Sequence, residues 1–130
     1  MPTRAIIRIV TDPENVFSYA LGFVVAWFGA NEILAPQEWV AFAPPFLGDG
    51  NLAASLVAIH GIVLVSCALF LFLKLYRRIA AAILALIFVE VVIGLVMQTG
   101  LSDIAVRDIG LCGLSVGLAL LASSVRSTTD

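Results

Sequence analysis

The sequence predicts an all-α membrane protein: a four-transmembrane-helix bundle with an interfacial segment between its first two helices. Two observations predict it. Hydrophobic residues make up 62% of the 130 residues and charged residues only 12%, whereas soluble domains are about half apolar and a quarter charged. Four apolar runs are also present, each close to the ~20 residues that cross a hydrocarbon core. A chain of this length forms one domain, residues 1–130.

The first span runs over residues 13–34. Its start signal is Thr11, Asp12, Pro13 and Glu14, a Thr-x-x-Glu capping pattern with proline in the first turn. Arg4 and Arg8 precede this run, as in a signal peptide. Asp12, Pro13 and Glu14 separate them from it, however, and Trp27 and Phe28 stand where a cleavage site needs small residues. The run therefore reads as a retained helix. The second span, residues 51–73, follows the turn at Gly48, Asp49 and Gly50. The third, residues 78–98, stops near Gly100. The fourth, residues 104–123, has Ser102 or Asp103 as its cap. The segment from Ala35 to Gly50 holds Pro36, Pro44 and Pro45, so it is not one regular helix. Trp39, Phe42 and Phe46 recur along it, and it reads as an amphipathic stretch in the membrane interface, anchored by these aromatics or acting as a lid. The short link from Lys74 to Arg78 makes the second and third spans antiparallel neighbours.

Cations set the orientation. Arg4, Arg8, Lys74, Arg77, Arg78 and Arg126 fall on one side, and only Arg107 falls on the other. The positive-inside rule then predicts a protein of the cytoplasmic membrane with cytoplasmic N- and C-termini. A net charge of −2 supplies no field for nucleic acid. Cys67 and Cys112 sit in different apolar runs at different depths and read as small buried thiols, not a disulfide. No metal-binding pattern, nucleotide loop or EF-hand is present.

Ionisable groups inside a bilayer are costly, and they face the bundle interior or water and find partners. Here they are Glu32, His60, Glu90, Arg107 and Asp108. At ~1.5 Å per residue, His60 lies ~13 Å and Glu90 ~12 Å below the outer surface. The outer half therefore carries the polar groups, and the cytoplasmic half reads as almost purely apolar. Small residues mark close helix packing in lipid. Gly22, Ala26 and Gly29 share a stripe with Glu32. Ala82, Leu86, Glu90, Gly94 and Gln98 form another, Ala53, His60 and Cys67 a third, and Arg107, Gly110, Leu114 and Gly117 a fourth. These stripes predict an outward-open polar pocket of Glu32, Trp27, Arg107, Asp108 and Gln98. His60 and Glu90 are its candidate catalytic groups, since a histidine exchanges protons near neutral pH. Arg107 is the expected counter-charge for Glu32, Glu90 or Asp108. Gly113 and Gly117 alternatively suit a helix pair or homodimer.

The run Trp27, Phe28, Gly29, Ala30, Asn31, Glu32, followed by Pro36, Glu38, Trp39, Pro44 and Pro45, resembles the first-helix signature of the DoxX-like membrane proteins. Arg107, Asp108, Ile109, Gly110 and Leu111 resemble the start of their last helix. The resemblance spans about Phe17 to Leu121. It implies a four-helix membrane protein, in some members a subunit of a redox assembly such as thiosulfate:quinone oxidoreductase. Many members carry lysine where this chain has Glu32, so that lysine's role does not transfer.

The expected function is a membrane subunit associated with quinone-linked redox chemistry. The chain carries no motif for an intrinsic cofactor, and a single histidine cannot ligate a haem on both sides. Electrons must then come from a partner subunit or a directly bound donor. The alternatives are a non-catalytic accessory subunit of a larger complex, or a homo-oligomer, and a proton-coupled small-molecule transporter. Against the last, Glu32 lies at a helix end, whereas the key glutamate of the small multidrug resistance proteins is mid-membrane.

Overall fold

The computed structural model describes residues 11–127, with side-chain environments through residue 122. Arg4 and Arg8, on which part of the orientation reading rests, lie outside the described residues, as does the side chain of Arg126. The fold is all-α. Helix α1 spans Pro13–Leu34, α2 is a single turn at Pro36–Trp39, α3 spans Asn51–Phe72, α4 Arg77–Thr99 and α5 Asp103–Ser127. Among the described residues, α1, α3, α4 and α5 are each long and apolar enough to cross a membrane, the make-up of an integral membrane protein.

Local chemistry sets the boundaries. Asp12, not Thr11, caps α1: its carboxylate accepts from the Glu14 amide at 3.2 Å, and Pro13 takes the first helical position. The cap shifts by one residue because Asp12 directly precedes the proline. Pro36 then stops α1 at Leu34. The prolines break the following segment into α2 and two 3₁₀ turns, Val40–Phe42 and Pro45–Leu47. Gly48, at φ 68°, ends the second turn in a conformation that favours glycine. Ser102 caps α5 by accepting from the Ala105 amide at 3.3 Å.

The four long helices pack as two close pairs, α1 with α3 and α4 with α5. The first pair depends on glycine. A Cβ on Gly29 would lie 2.6 Å from the Gly61 carbonyl oxygen, and one on Gly61 would lie 2.7 Å from the Gly29 oxygen. The two backbones touch there, which in lipid replaces hydrophobic drive with dispersion contact. Although α3 and α4 are joined by only residues 73–76, they touch far less than either pair. Leu21, Val25, Leu64, Leu84 and Leu118 fill the centre. Outward faces stay apolar and exposed, as at Phe23, Leu86 and Leu120, which suits a lipid-facing surface.

Two predicted stripes are rotated. On α4 the buried face runs through Ala80, Ala81, Leu84, Phe88 and Leu95, while Ala82, Leu86 and Gln98 are exposed. On α5 the buried face runs through Ala105, Asp108, Ser115 and Leu118. Among the described residues, nothing lies within 4 Å of a Cβ added at Gly110, Gly113 or Gly117. The physical reason is that a bilayer does not penalise glycine on a lipid-facing surface, so small residues do not by themselves mark the interior.

The end of the bundle at the α3–α4 link is not purely apolar, contrary to the sequence reading. Arg77 is buried, donating to Glu14 Oε1 at 3.0 Å and to Asn15 Oδ1 at 2.7 Å. Asn15 in turn donates to Asp12 at 2.8 Å. Tyr76 precedes α4 with φ 48°, and the backbone turns sharply just before Arg77. Arg77 thus opens α4 and reaches back to α1 as a structural ion pair, not as a free link cation.

Candidate functional site

At the opposite end, the helix pairs and the α2 segment enclose a cavity of about 520 Å³, within the size range of small-molecule sites. Its polar wall is built from one or two groups per helix. Glu32, near the end of α1, is buried. Because Gly29 and Gly61 let the two backbones meet, Glu32 Oε2 comes within 2.6 Å of His60 Nδ1 on α3. With Glu32 ionised and His60 donating from Nδ1, a contact this short is a strong, charge-assisted hydrogen bond. Among the described residues His60 Nε2 is buried with no hydrogen-bond partner, an arrangement that costs about 1–3 kcal/mol in a protein interior.

Glu90 enters from α4 at the cavity rim and is exposed there. His60 is nine residues from Asn51 and Glu90 nine residues from Thr99, so both sit ~13 Å below that end of the bundle. Among the described residues Glu90 has no hydrogen bond or ion pair. Helix α5 contributes Arg107, which donates from Nε to Asp108 Oδ1 at 2.8 Å. Asp108 is buried, while Arg107 is half-exposed, lines the cavity and has further N–H donors beyond the one Asp108 takes.

The apolar wall is aromatic. The Arg107 guanidinium lies 4.7 Å from the Phe28 ring centre, a cation–π contact. Trp39 meets Phe28 edge-on, with centroids 5.7 Å apart, and Phe42 at a tilt, with centroids 5.8 Å apart. The segment from Trp39 to Leu47 therefore forms a cover over the cavity. Gln98 ties α4 to this cover by donating to the Ala43 carbonyl at 3.3 Å.

Of the residues expected at the site, Glu32, His60, Glu90, Arg107 and Asp108 line this one cavity. Trp27 does not: it is 63% exposed on the outer face of α1, one helical position away from the inward Phe28. Gln98 binds the cover from outside the cavity. Trp39 is half-buried and packs inward, unlike a simple interfacial anchor, whereas Phe46, 84% exposed, remains at the rim. Of the partners open to Arg107, Asp108 is the one it takes, and the partner of Glu32 is His60. Sequence reasoning missed Phe28 as a wall and Arg77, Glu14 and Asn15 as a cluster. An asparagine one turn into an apolar span was the signal for the latter.

Cys67 is buried and Cys112 half-buried, and both are free thiols. Among the described residues, no three His, Cys, Asp or Glu side chains converge in a way that would hold a metal ion. The chain matches no family model, no curated protein and no solved structure.

Proposed function

We propose that this protein is a membrane subunit that binds a lipid-soluble quinone in the covered cavity and exchanges protons with it during electron transfer to or from a partner. The observation that carries the reading is the pairing pattern. Glu32 with His60 and Arg107 with Asp108 are paired, which leaves Glu90, among the described residues, an unpaired carboxylate inside the bilayer span. Such groups mark ligand or proton pathways by default.

The donor and acceptor set suits both redox forms. The free Arg107 N–H groups can donate to a quinone carbonyl, and Glu90 can accept from a quinol hydroxyl. A quinol that gives two electrons to a partner subunit sheds two protons, one to Glu90 and one to the Glu32–His60 pair. The reverse reaction takes up both. Phe28, Trp39 and Phe42 supply flat apolar surface for the ring. The resemblance to DoxX-like proteins points the same way, and the excess of cations at the link end favours cytoplasmic termini in the cytoplasmic membrane, with the cavity on the outer side.

An accessory role in a larger assembly is the second reading. It is favoured by the open glycine face of α5 at Gly110, Gly113 and Gly117, where another helix can approach closely. The two readings are separated by solvent extraction of protein purified in mild detergent. Quinone at near-stoichiometric yield from the wild type, and its loss in Glu90→Gln with the bundle intact, supports the first. Equal, trace quinone in both proteins, with tight retention of partner subunits, supports the second.

A further inference from the structure

The polar cavity is bordered in part by α3 and α4. A second depression of about 390 Å³ lies between the same two helices, nearer the link end, walled by Val63, Cys67 and Phe70 of α3 with Tyr76, Ala80 and Ile83 at the start of α4. Helical spacing joins the two. Leu56 and His60 line the cavity and Val63, Cys67 and Phe70 line the depression. Steps of four and three residues put all five on one stripe of α3. On α4, Val91 and Ile87 of the cavity continue in the same way to Ile83 and Ala80 of the depression. The two hollows therefore lie in line along the loosely packed α3–α4 seam. From Leu56 to Phe70 it runs ~21 Å.

Its lower stretch is apolar and open to the side. Ile62 is 54% exposed and Ile79 57%, and the Ser66 hydroxyl there is already bonded to the Ile62 carbonyl. The polar end is closed over by the Trp39–Leu47 cover. A molecule with its head against Glu90 and His60 can then extend along this seam, past the bilayer midplane and toward the link end.

We propose that the lower α3–α4 crevice holds the hydrocarbon tail of the same quinone whose ring occupies the polar cavity. The inference rests on the quinone reading above and narrows the ligand to a long-tailed lipid quinone, entering sideways from the bilayer between α3 and α4. The crevice gives the tail a fixed path, so the ring arrives at Glu90 in one orientation.

Two photoreactive quinones test this on the full chain in nanodiscs, one with a diazirine on the ring substituent and one with it on the tail. Labelled peptides are mapped by mass spectrometry. The ring probe is expected on the cavity wall around Val57 and Ile87. The tail probe is expected on the stretches 62–70 and 79–83, in preference to lipid-facing Ile93 and Leu120. Excess unlabelled quinone abolishes both patterns. Ser66→Phe, at an exposed position, fills the crevice, so it removes tail labelling and leaves ring labelling in place. Ring labelling of the cavity, with tail labelling spread like that of a photoreactive phospholipid, overturns the tail site and leaves the quinone reading standing. If neither probe labels in a way that unlabelled quinone displaces, both fall together.

Discussion

Substituting Gly61 by alanine tests the geometry that creates the site. The added Cβ would lie 2.7 Å from the Gly29 oxygen, 2.9 Å from Glu32 Cβ and 3.1 Å from Ile33 Cγ1. Two of these neighbours belong to backbone or to a short stem and cannot swing away, so α1 and α3 must separate by about 0.5 Å. Overpacking of this kind costs roughly 1–3 kcal/mol. Alanine's better helix propensity returns up to about 1 kcal/mol, so the expected net loss is about 1–2 kcal/mol. Gly110→Ala is the matched control: nothing lies within 4 Å of its Cβ, so only the propensity gain of up to about 1 kcal/mol remains. Unfolding in mixed micelles by titration with a denaturing detergent, followed by circular dichroism, measures both variants. The separation also stretches the 2.6 Å Glu32–His60 contact, so quinone binding should weaken in Gly61→Ala and not in Gly110→Ala. Equal stability of the two variants would refute the close approach of α1 and α3.

Other outcomes follow from the same geometry. His60→Ala leaves the buried Glu32 without its partner and should destabilise the bundle by about 2–4 kcal/mol, less than a fully buried pair because His60 is partly exposed. Adding Glu32→Gln should recover part of that loss, and a double-mutant cycle in the unfolding assay reads the coupling. Arg77→Met strands Glu14 and Asn15 at the other end; it should cost about 3 kcal/mol while leaving quinone affinity per folded molecule unchanged in a binding titration. Trp39→Ala removes the ring that packs against Phe28 and Phe42, so a cysteine placed at Val57 should react faster with a water-soluble maleimide than it does beneath the intact cover.

The helices were legible because apolar length, proline positions and capping groups are local properties. The spans 51–73 and 78–98 fall within a residue of α3 and α4 at each end. The polar set was legible for a related reason: charge inside an apolar run stands out whatever the fold. The pairing within that set was not. Whether Glu32 meets His60 or Arg107 depends on which helices touch, and the Gly29–Gly61 contact that decides it links residues 32 positions apart. Helix faces were the weakest part. In water a buried stripe is read from hydrophobicity, but α4 is apolar on every side, so Leu86 was placed inward and lies 72% exposed. Arg77 entered the sequence reading only as one of the cations that set the orientation, and its burial was not legible there. Its burial follows from Glu14 and Asn15, which sit more than 60 positions earlier.

In the proposed site a quinone ring sits between the Glu32–His60 pair and Glu90, beneath Trp39. Tryptophan fluorescence measures this directly, since Trp39 lines the cavity and Trp27 points away from it. In a Trp27→Phe background in nanodiscs, a long-tailed quinone should quench Trp39 with a saturating curve, and Glu90→Gln should abolish the saturation while the unfolding midpoint holds. Linear, unsaturated quenching that is identical in both proteins would mean that the quinone meets Trp39 only by diffusing through lipid, and would contradict the account.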